Sequence, residues 1–402
     1  MHVLKILKQR GPTSRIDIAG ALELTRAAVT IITNEMIEQG IIVELGEYKQ
    51  TSEKTPRGRK KILIDINSNY RFTVGMTIEC NNVSVGISTL SGAVLDKRNI
   101  SIDDNASRED IMGFIDRSVD EILSGNYIDK KQLLGVGVGI YPGMFRRLGI
   151  PVAGNAPDYT EIRKTLEEHF KLPVVIDNSV KGMAMANIDF MKVKDSERRN
   201  IAFLQYGDST HFVVTNLNDP IVSYDHRTDF VDRIIVAPDS SHTCECGRKG
   251  CCKSEISPKA IIKKVSEVYS AEKTPYLYRA TDGDASRINI GEIGASYANK
   301  DAGTVAVMND VLDMTAVLIN NLYFTTNPQR IVMNDFFTAD DRINERFLQS
   351  VERIAGSSVA DKISLSIIDD KQRFLSGCAL AIRELFYDKG GFVTKTYSGA
   401  KQ

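Results

Sequence analysis

The sequence predicts a mixed α/β protein: a small helical head with a β-hairpin, followed by two α/β lobes of similar element order. Three observations predict it. The first 40 residues hold three short apolar-periodic segments parted by turn signals. The remainder alternates strand and helix periodicity and restarts near residue 200. Four of the six cysteines fall within residues 244–252, where they interrupt that second cycle.

Composition sets outer limits. A chain of 402 residues accommodates two or three domains, each with its own core. With 51 basic against 52 acidic residues it is not polybasic throughout, so any nucleic-acid surface is local. No apolar run reads as a membrane span and no signal-peptide core opens the chain. The expectation is a cytoplasmic protein with no membrane partner.

In the head, Val3, Leu4 and Leu7 mark a first helix that stops at Gly11-Pro12. Thr13 or Ser14 caps a second, beginning near Arg15 with Ile16, Ile18, Ala19 and Leu22 as its apolar side. After a tight Glu23-Leu24 turn, Thr25 caps a third that runs to Gln39 and ends at Gly40. On it, Val29, Ile32 and Met36 share an inward face, while Arg26, Thr30 and Thr33/Asn34 share the other, with Thr25 and Ala27 at the exposed start. That is the pattern of a helix-turn-helix whose third helix enters a major groove, where Arg pairs with guanine and Ala or Thr meets a thymine methyl.

Strands at 41–45 and 61–66 flank a segment in which Lys49, Lys54, Arg57, Arg59, Lys60 and Lys61 face only Glu47 and Glu53. A hairpin with a cationic tip in this place reads as a wing lying on phosphates, with Arg59 reaching a minor groove. Arg15, Arg57 and Arg59 join the third-helix residues as the expected DNA contacts.

Strands follow at 72–78, 83–89 and 93–100, a helix at 107–123, a strand at 133–140, a helix at 159–169, a strand at 174–177 and a helix from Val180. The second cycle has strands at 201–206, 211–216 and around Ile221, then the cysteine insert, then helices with strands at 330–333 and 363–368. Two lobes of like order imply a cleft between them. In the insert, Cys244, Cys246 and Cys251 sit on a Gly247/Gly250 frame that lets their thiolates face one soft cation, zinc first, with His242 or Cys252 as fourth ligand. Four protein ligands make such a site structural. A local disulfide and free thiols are the competing readings.

The residues now carry a resemblance. Pro12-Thr-Ser14-Arg15-x-x-Ile18-Ala19, the helix opening Leu24-Thr25, Gly58-Arg59-Lys60 before a strand, Gly137-Val-Gly139-Ile-Tyr-Pro142-Gly143 and Cys244-x-Cys246-Gly-x-x-Gly250-Cys251 occur in an order similar to the repressor branch of the ROK family. The resemblance covers nearly the whole chain. It implies a winged helix-turn-helix at 1–67, then a two-lobed, actin-like fold of the sugar-kinase type. The first lobe lies at 68–190, with the C-terminal helix (374–402) returning to it, and the second at 191–373 with the knuckle at 242–252.

Against that family the phosphate-handling parts are altered. Met76-Thr-Ile-Glu79 stands in place of an Asp-Gly phosphate loop, Asp208 in a glycine turn, and Asn334-Asp-Phe336 in place of paired glycines, so no ATP is expected. Ser179 occupies the catalytic Asp position; a hydroxyl stays protonated at neutral pH and makes a poor base. Asn155 and Asn178 stand where the family binds sugar hydroxyls, with Tyr159 beside the first. Arg233 replaces a His usually shared with the metal, and Glu255 lies close to where a Glu is usual. Arg233 and Lys253 suggest an anionic sugar or sugar acid. The implied protein is a regulator that binds double-stranded operator DNA as a homodimer or dimer of dimers and senses a small molecule without phosphorylating it. A carbohydrate kinase with a fused DNA-binding domain is the alternative.

Overall fold

A computed structural model describes residues 2–47, 61–103, 105–153, 156–190, 200–207, 209–215, 229–334 and 341–390. The chain divides into two compact units, one of Met1–Asp195 with Ile368–Gln402, the other of Ser196–Ile367.

The first unit opens with α1 (His2–Arg10), β1 (Thr13–Ser14), α2 (Arg15–Leu22), α3 (Arg26–Glu38), β2 (Ile42–Glu47) and β3 (Ile62–Ile66). Ser14 does double duty. Its backbone pairs with Leu63, while its hydroxyl caps α2 by accepting the Asp17 N–H at 3.2 Å. The three strands form an antiparallel sheet in the order β1-β3-β2, which turns a three-helix head into a winged helix. Its buried side chains include Leu4, Leu7, Ile18, Val29, Ile41, Ile42 and Ile64.

Next come β4 (Phe72–Ile78), β5 (Asn82–Ser88), β6 (Val94–Ser101), α4 (Arg108–Gly125), β7 (Leu133–Ile140), the short pair β8 (Val152–Ala153) and β9 (Ala156–Pro157), α5 (Thr160–Phe170), β10 (Val174–Asn178) and α6 (Ser179–Phe190). The sheet order is β10-β7-β4-β5-β6, parallel across β10, β7 and β4 and antiparallel beyond. Gly137 and Gly139 lie inside strand β7, where the sequence places a strand at 133–140. Their role is packing. A Cβ on Gly137 would stand 1.8 Å from the Gly377 carbonyl oxygen, so bare backbone here lets a C-terminal helix lie directly on the sheet.

The second unit contains β11 (Ile201–Gln205), β12 (His211–Thr215), α7 (Cys252–Ile256), α8 (Pro258–Val268), α9 (Pro275–Ala280), α10 (Ile290–Ala298), α11 (Ala302–Thr326), β13 (Arg330–Asn334), α12 (Asp341–Ala355), α13 (Ser357–Ala360) and β14 (Ile363–Leu365). Its sheet order, β12-β11-β13-β14, is parallel across β11, β13 and β14 with β12 antiparallel at the edge. That repeats the β5-β4-β7-β10 part of the first sheet, the duplication legible in the sequence. The strand expected around Ile221 lies outside the described residues.

The sequence showed no membrane-length run, yet α11 has 25 residues and an 18-residue stretch with a mean hydropathy of 1.4, enough by length and composition to cross a bilayer. Met308, Val311, Leu312, Ala316, Ile319 and Leu322 bury its face in the core of the second unit, which accounts for its apolarity. The chain then returns to the first unit as α14 (Leu375–Ala381), which continues as a π-helix over Ile382–Asp388.

Candidate functional site

The head presents α3. Glu23 takes a left-handed conformation (φ 55°) that ends α2, and Thr25 caps α3 by accepting the Ala28 N–H at 3.2 Å. Thr25, Arg26, Ala27, Thr30 and Asn34 are exposed, the face the sequence assigned to DNA. The opposite face is turned from the expected one. Val29 and Thr33 are buried, Met36 is half-buried and Ile32 is 37% exposed. The Thr33 hydroxyl bonds to the Val29 carbonyl at 2.8 Å, so it enters the core with its polar atom satisfied.

Arg15 is engaged within the head. Its guanidinium donates to Thr33 Oγ1 at 2.9 Å and Asn34 Oδ1 at 3.1 Å and pairs with Glu44 at 2.8 Å, bracing α2, α3 and β2 together. Two expected DNA contacts, Arg15 and Asn34, thus hold each other. Arg57 and Arg59 lie outside the described residues. What sequence reasoning missed is Ile31, 69% exposed in the middle of the outward face between Ala27 and Asn34. Position was the available signal: two residues on from Val29, Ile31 lies about 200° around the helix from it, opposite the buried stripe.

In the first unit, β4, β7 and β10 run parallel and end in register at Ile78, Ile140 and Asn178. Ligands of open α/β sheets gather at such a carboxyl edge. There Glu79 is buried and paired with Arg373 at 3.0 Å; Arg373 also holds Asp370 at 2.6 Å, and its carbonyl accepts the Thr77 hydroxyl at 2.6 Å. A buried carboxylate fills the place where a phosphate loop would offer free N–H groups, and its counter-charge is already taken.

Asn178 accepts the Val180 N–H at 2.8 Å, and Asp177 pairs with Lys181. Ser179 is fully buried, and its hydroxyl and that of Tyr159 have no hydrogen-bond partner among the described residues. Burial first, then the charge of Asp177, raise the Tyr159 phenol well above its usual range, so it stays a neutral donor. Orphan buried hydroxyls are what a polar ligand would satisfy. Asn155 lies outside the described residues.

In the second unit, positive φ at Gly247 (83°) and Gly250 (69°) folds the cysteine segment into a tight knuckle. The sulfurs of Cys244, Cys246 and Cys251 lie within 4.8 Å of one another, and those of Cys246 and Cys251 are 3.6 Å apart. Two thiolates on one tetrahedral zinc stand about 3.8 Å apart, while a disulfide spans about 2.0 Å, so the spacing suits a shared cation. The Arg248 N–H and guanidinium lower the Cys246 thiol to about 6, whereas burial and the neighbouring thiols push Cys251 up to about 12. A divalent cation would remove that conflict.

Neither residue expected as fourth ligand joins this group. His242 turns its Nδ1 to Glu255 at 3.4 Å and Ser240 at 3.3 Å. Cys252 begins α7 and packs into the core, where burial and then Asp232 raise its thiol. Adjacent side chains at the start of a helix point apart, so Cys251 and Cys252 do not reach one ion. Glu255, 1% exposed, accepts from Ser240 at 2.5 Å and Lys264 at 2.6 Å; Arg233 is exposed, and Lys253 pairs with Glu245 at 2.9 Å.

Residues 230–375, from just before the knuckle to the start of α14, match the sequence profile of the ROK family. This chain carries a ROK family domain. Among relatives, a putative xylose repressor of Caldicellulosiruptor sp. (strain Rt8B.4) is 22% identical over 88% of this chain and 86% of its own. A glucokinase of Halalkalibacterium halodurans is 24% identical over 72% of this chain and 88% of its own. Among solved structures, a ROK family transcriptional regulator described as a homologue of the E. coli MLC protein superposes with a TM-score of 0.69 at 19% identity, covering 96% of this chain and 97% of that one. The fold around the ROK domain is therefore the ROK sugar-kinase-like fold, and the likeness to the regulator takes in the winged helix as well.

Proposed function

We propose that this chain is a sequence-specific DNA-binding transcriptional regulator, a repressor of carbohydrate-related genes, whose ROK domain binds an effector and does not phosphorylate it. The carrying observation is a winged helix with an exposed α3 joined to a ROK domain whose first carboxyl edge is sealed by Glu79 and Arg373. The repressor likeness extends over the same length.

Thr25, Arg26, Ala27 and Thr30 read the major groove, and the basic segment with Arg57 and Arg59 lies on the backbone. The effector is a sugar or sugar derivative that satisfies the hydroxyls of Ser179 and Tyr159, with Asn178 and Asn155 nearby in sequence. Within the second unit, Arg233 is exposed in a short 3-10 turn, whereas Lys253 is paired with Glu245. Cys244, Cys246 and Cys251 hold a zinc ion. The protein works as a dimer or dimer of dimers in the cytoplasm, where its DNA is.

The test pairs two measurements on the full chain. Fragments of the source genome are selected by retention on the protein, and ADP release is followed over a panel of neutral and phosphorylated sugars. The expected result is salt-sensitive retention of a few fragments and no turnover. Turnover at an ordinary enzymatic rate would instead establish the carbohydrate kinase that the glucokinase likeness raises.

A further inference from the structure

Lys8, in the last turn of α1, reaches into the body of the first unit. Its ammonium lies 3.0 Å from Asp189 Oδ2, in the last turn of α6. Arg383, in the π-helical segment, grips the same carboxylate twice, Nε to Oδ2 at 2.7 Å and Nη2 to Oδ1 at 2.9 Å. The Lys8 ammonium also stands 4.3 Å from the centre of the Tyr387 ring. The side chains of Lys8, Asp189 and Arg383 are 17%, 5% and 12% exposed. Charges are costly to bury, and a buried ion network is weak evidence for stability; its best-attested use is to fix one arrangement against others. Lys5 and Asp388 pair at 2.9 Å on the solvent side of the same contact and add little energy.

The two carriers of this network both begin at the carboxyl edge. α6 starts at Ser179, and Asp189 stands about 15 Å further along it. α14 starts just after Arg373, the partner of Glu79, and the Ser376 hydroxyl lies 2.8 Å from that of Thr77. The helices are tightly packed: a Cβ on Gly182 would lie 2.8 Å from the Ser376 carbonyl oxygen. Looser π-turns within a helix often mark functional places, and this one carries Arg383 and Tyr387 to α1.

We infer that Asp189, with Lys8 and Arg383, is the joint that sets the winged helix on the ROK body, Asp189 and Arg383 acting as positioning residues for DNA binding through Lys8. The consequence for DNA rests on the regulator reading; the joint itself does not. The experiment follows amide exchange in residues 2–47 of the full chain together with retention of the genomic fragments. Lys8→Met keeps the apolar stem and leaves the Asp189–Arg383 pair intact. It speeds exchange in α1 and weakens retention about tenfold, as expected when about a tenth of the molecules hold the head in the binding position. Melting of the remaining structure is unchanged, and Lys8→Arg restores both readouts.

Unchanged α1 exchange in Lys8→Met overturns the joint. Faster exchange with unchanged retention, or no rescue by Lys8→Arg, overturns the positioning role. If the unmodified chain retains no fragment at all, the regulator reading fails by itself, and the exchange comparison still decides the joint.

Discussion

At the scale of single residues, the reading face is a mixture of small polar groups and one conspicuous apolar one. An exposed isoleucine on a lone helix is ordinary, but Ile31 lies between Ala27 and Asn34 on the face that a major groove would cover. There its branched side chain suits a thymine methyl. Ile31→Ala is expected to weaken binding to a selected fragment by about 1 kcal/mol. The loss should vanish when the contacted thymine is replaced by deoxyuridine; titrations of both proteins on both duplexes measure it. An equal loss on both duplexes would assign Ile31 to packing instead. Asp189 shows the reverse situation, a charge placed inside. Burial alone would raise its carboxyl, yet the guanidinium of Arg383 and the ammonium of Lys8 hold it at about 2, so it stays ionised across physiological pH.

At the scale of elements, the knuckle divides its cysteines by direction. Three sulfurs converge on the loop and the fourth, Cys252, turns into the core with α7. The expected zinc content is therefore about one per chain, unchanged by Cys252→Ser and lost in Cys246→Ser, as metal analysis of the purified proteins would measure. A zinc content that falls with Cys252→Ser would show that the loop rearranges to recruit it. The helices of the head and the strands of both sheets were legible in the sequence because caps, turn glycines and apolar periods are local. Ser107 and Asp110 form the capping box that starts α4, and Thr25 starts α3, each within four residues of its partner. The inward face of α3 was misjudged at Ile32 because a threonine, by bonding to its own helix backbone, can occupy the core as well as an isoleucine does.

At the scale of the whole molecule, a winged helix on a ROK body acts in pairs if the body dimerises. A two-fold dimer is expected to protect two similar half-sites whose centres are separated by about one helical turn of DNA or a multiple of it, with affinity falling steeply as salt rises. Footprinting at two salt concentrations measures both; a single unpaired half-site would rule out the symmetric arrangement. The sequence by itself determined the order of the elements, the repetition of one α/β pattern, the cationic hairpin and the cluster of thiols. These depend on neighbours along the chain. Only the tertiary structure decided which charges and backbones meet. Glu79 and Arg373 are 294 residues apart, Lys8 and Asp189 181 apart, and the glycines of β7 acquire their purpose only when α14 lies on them. A charge in a sequence is compatible with solvent, ligand or a distant partner alike, and the choice among them is made by packing, which brings remote segments within bonding distance and removes the water between them.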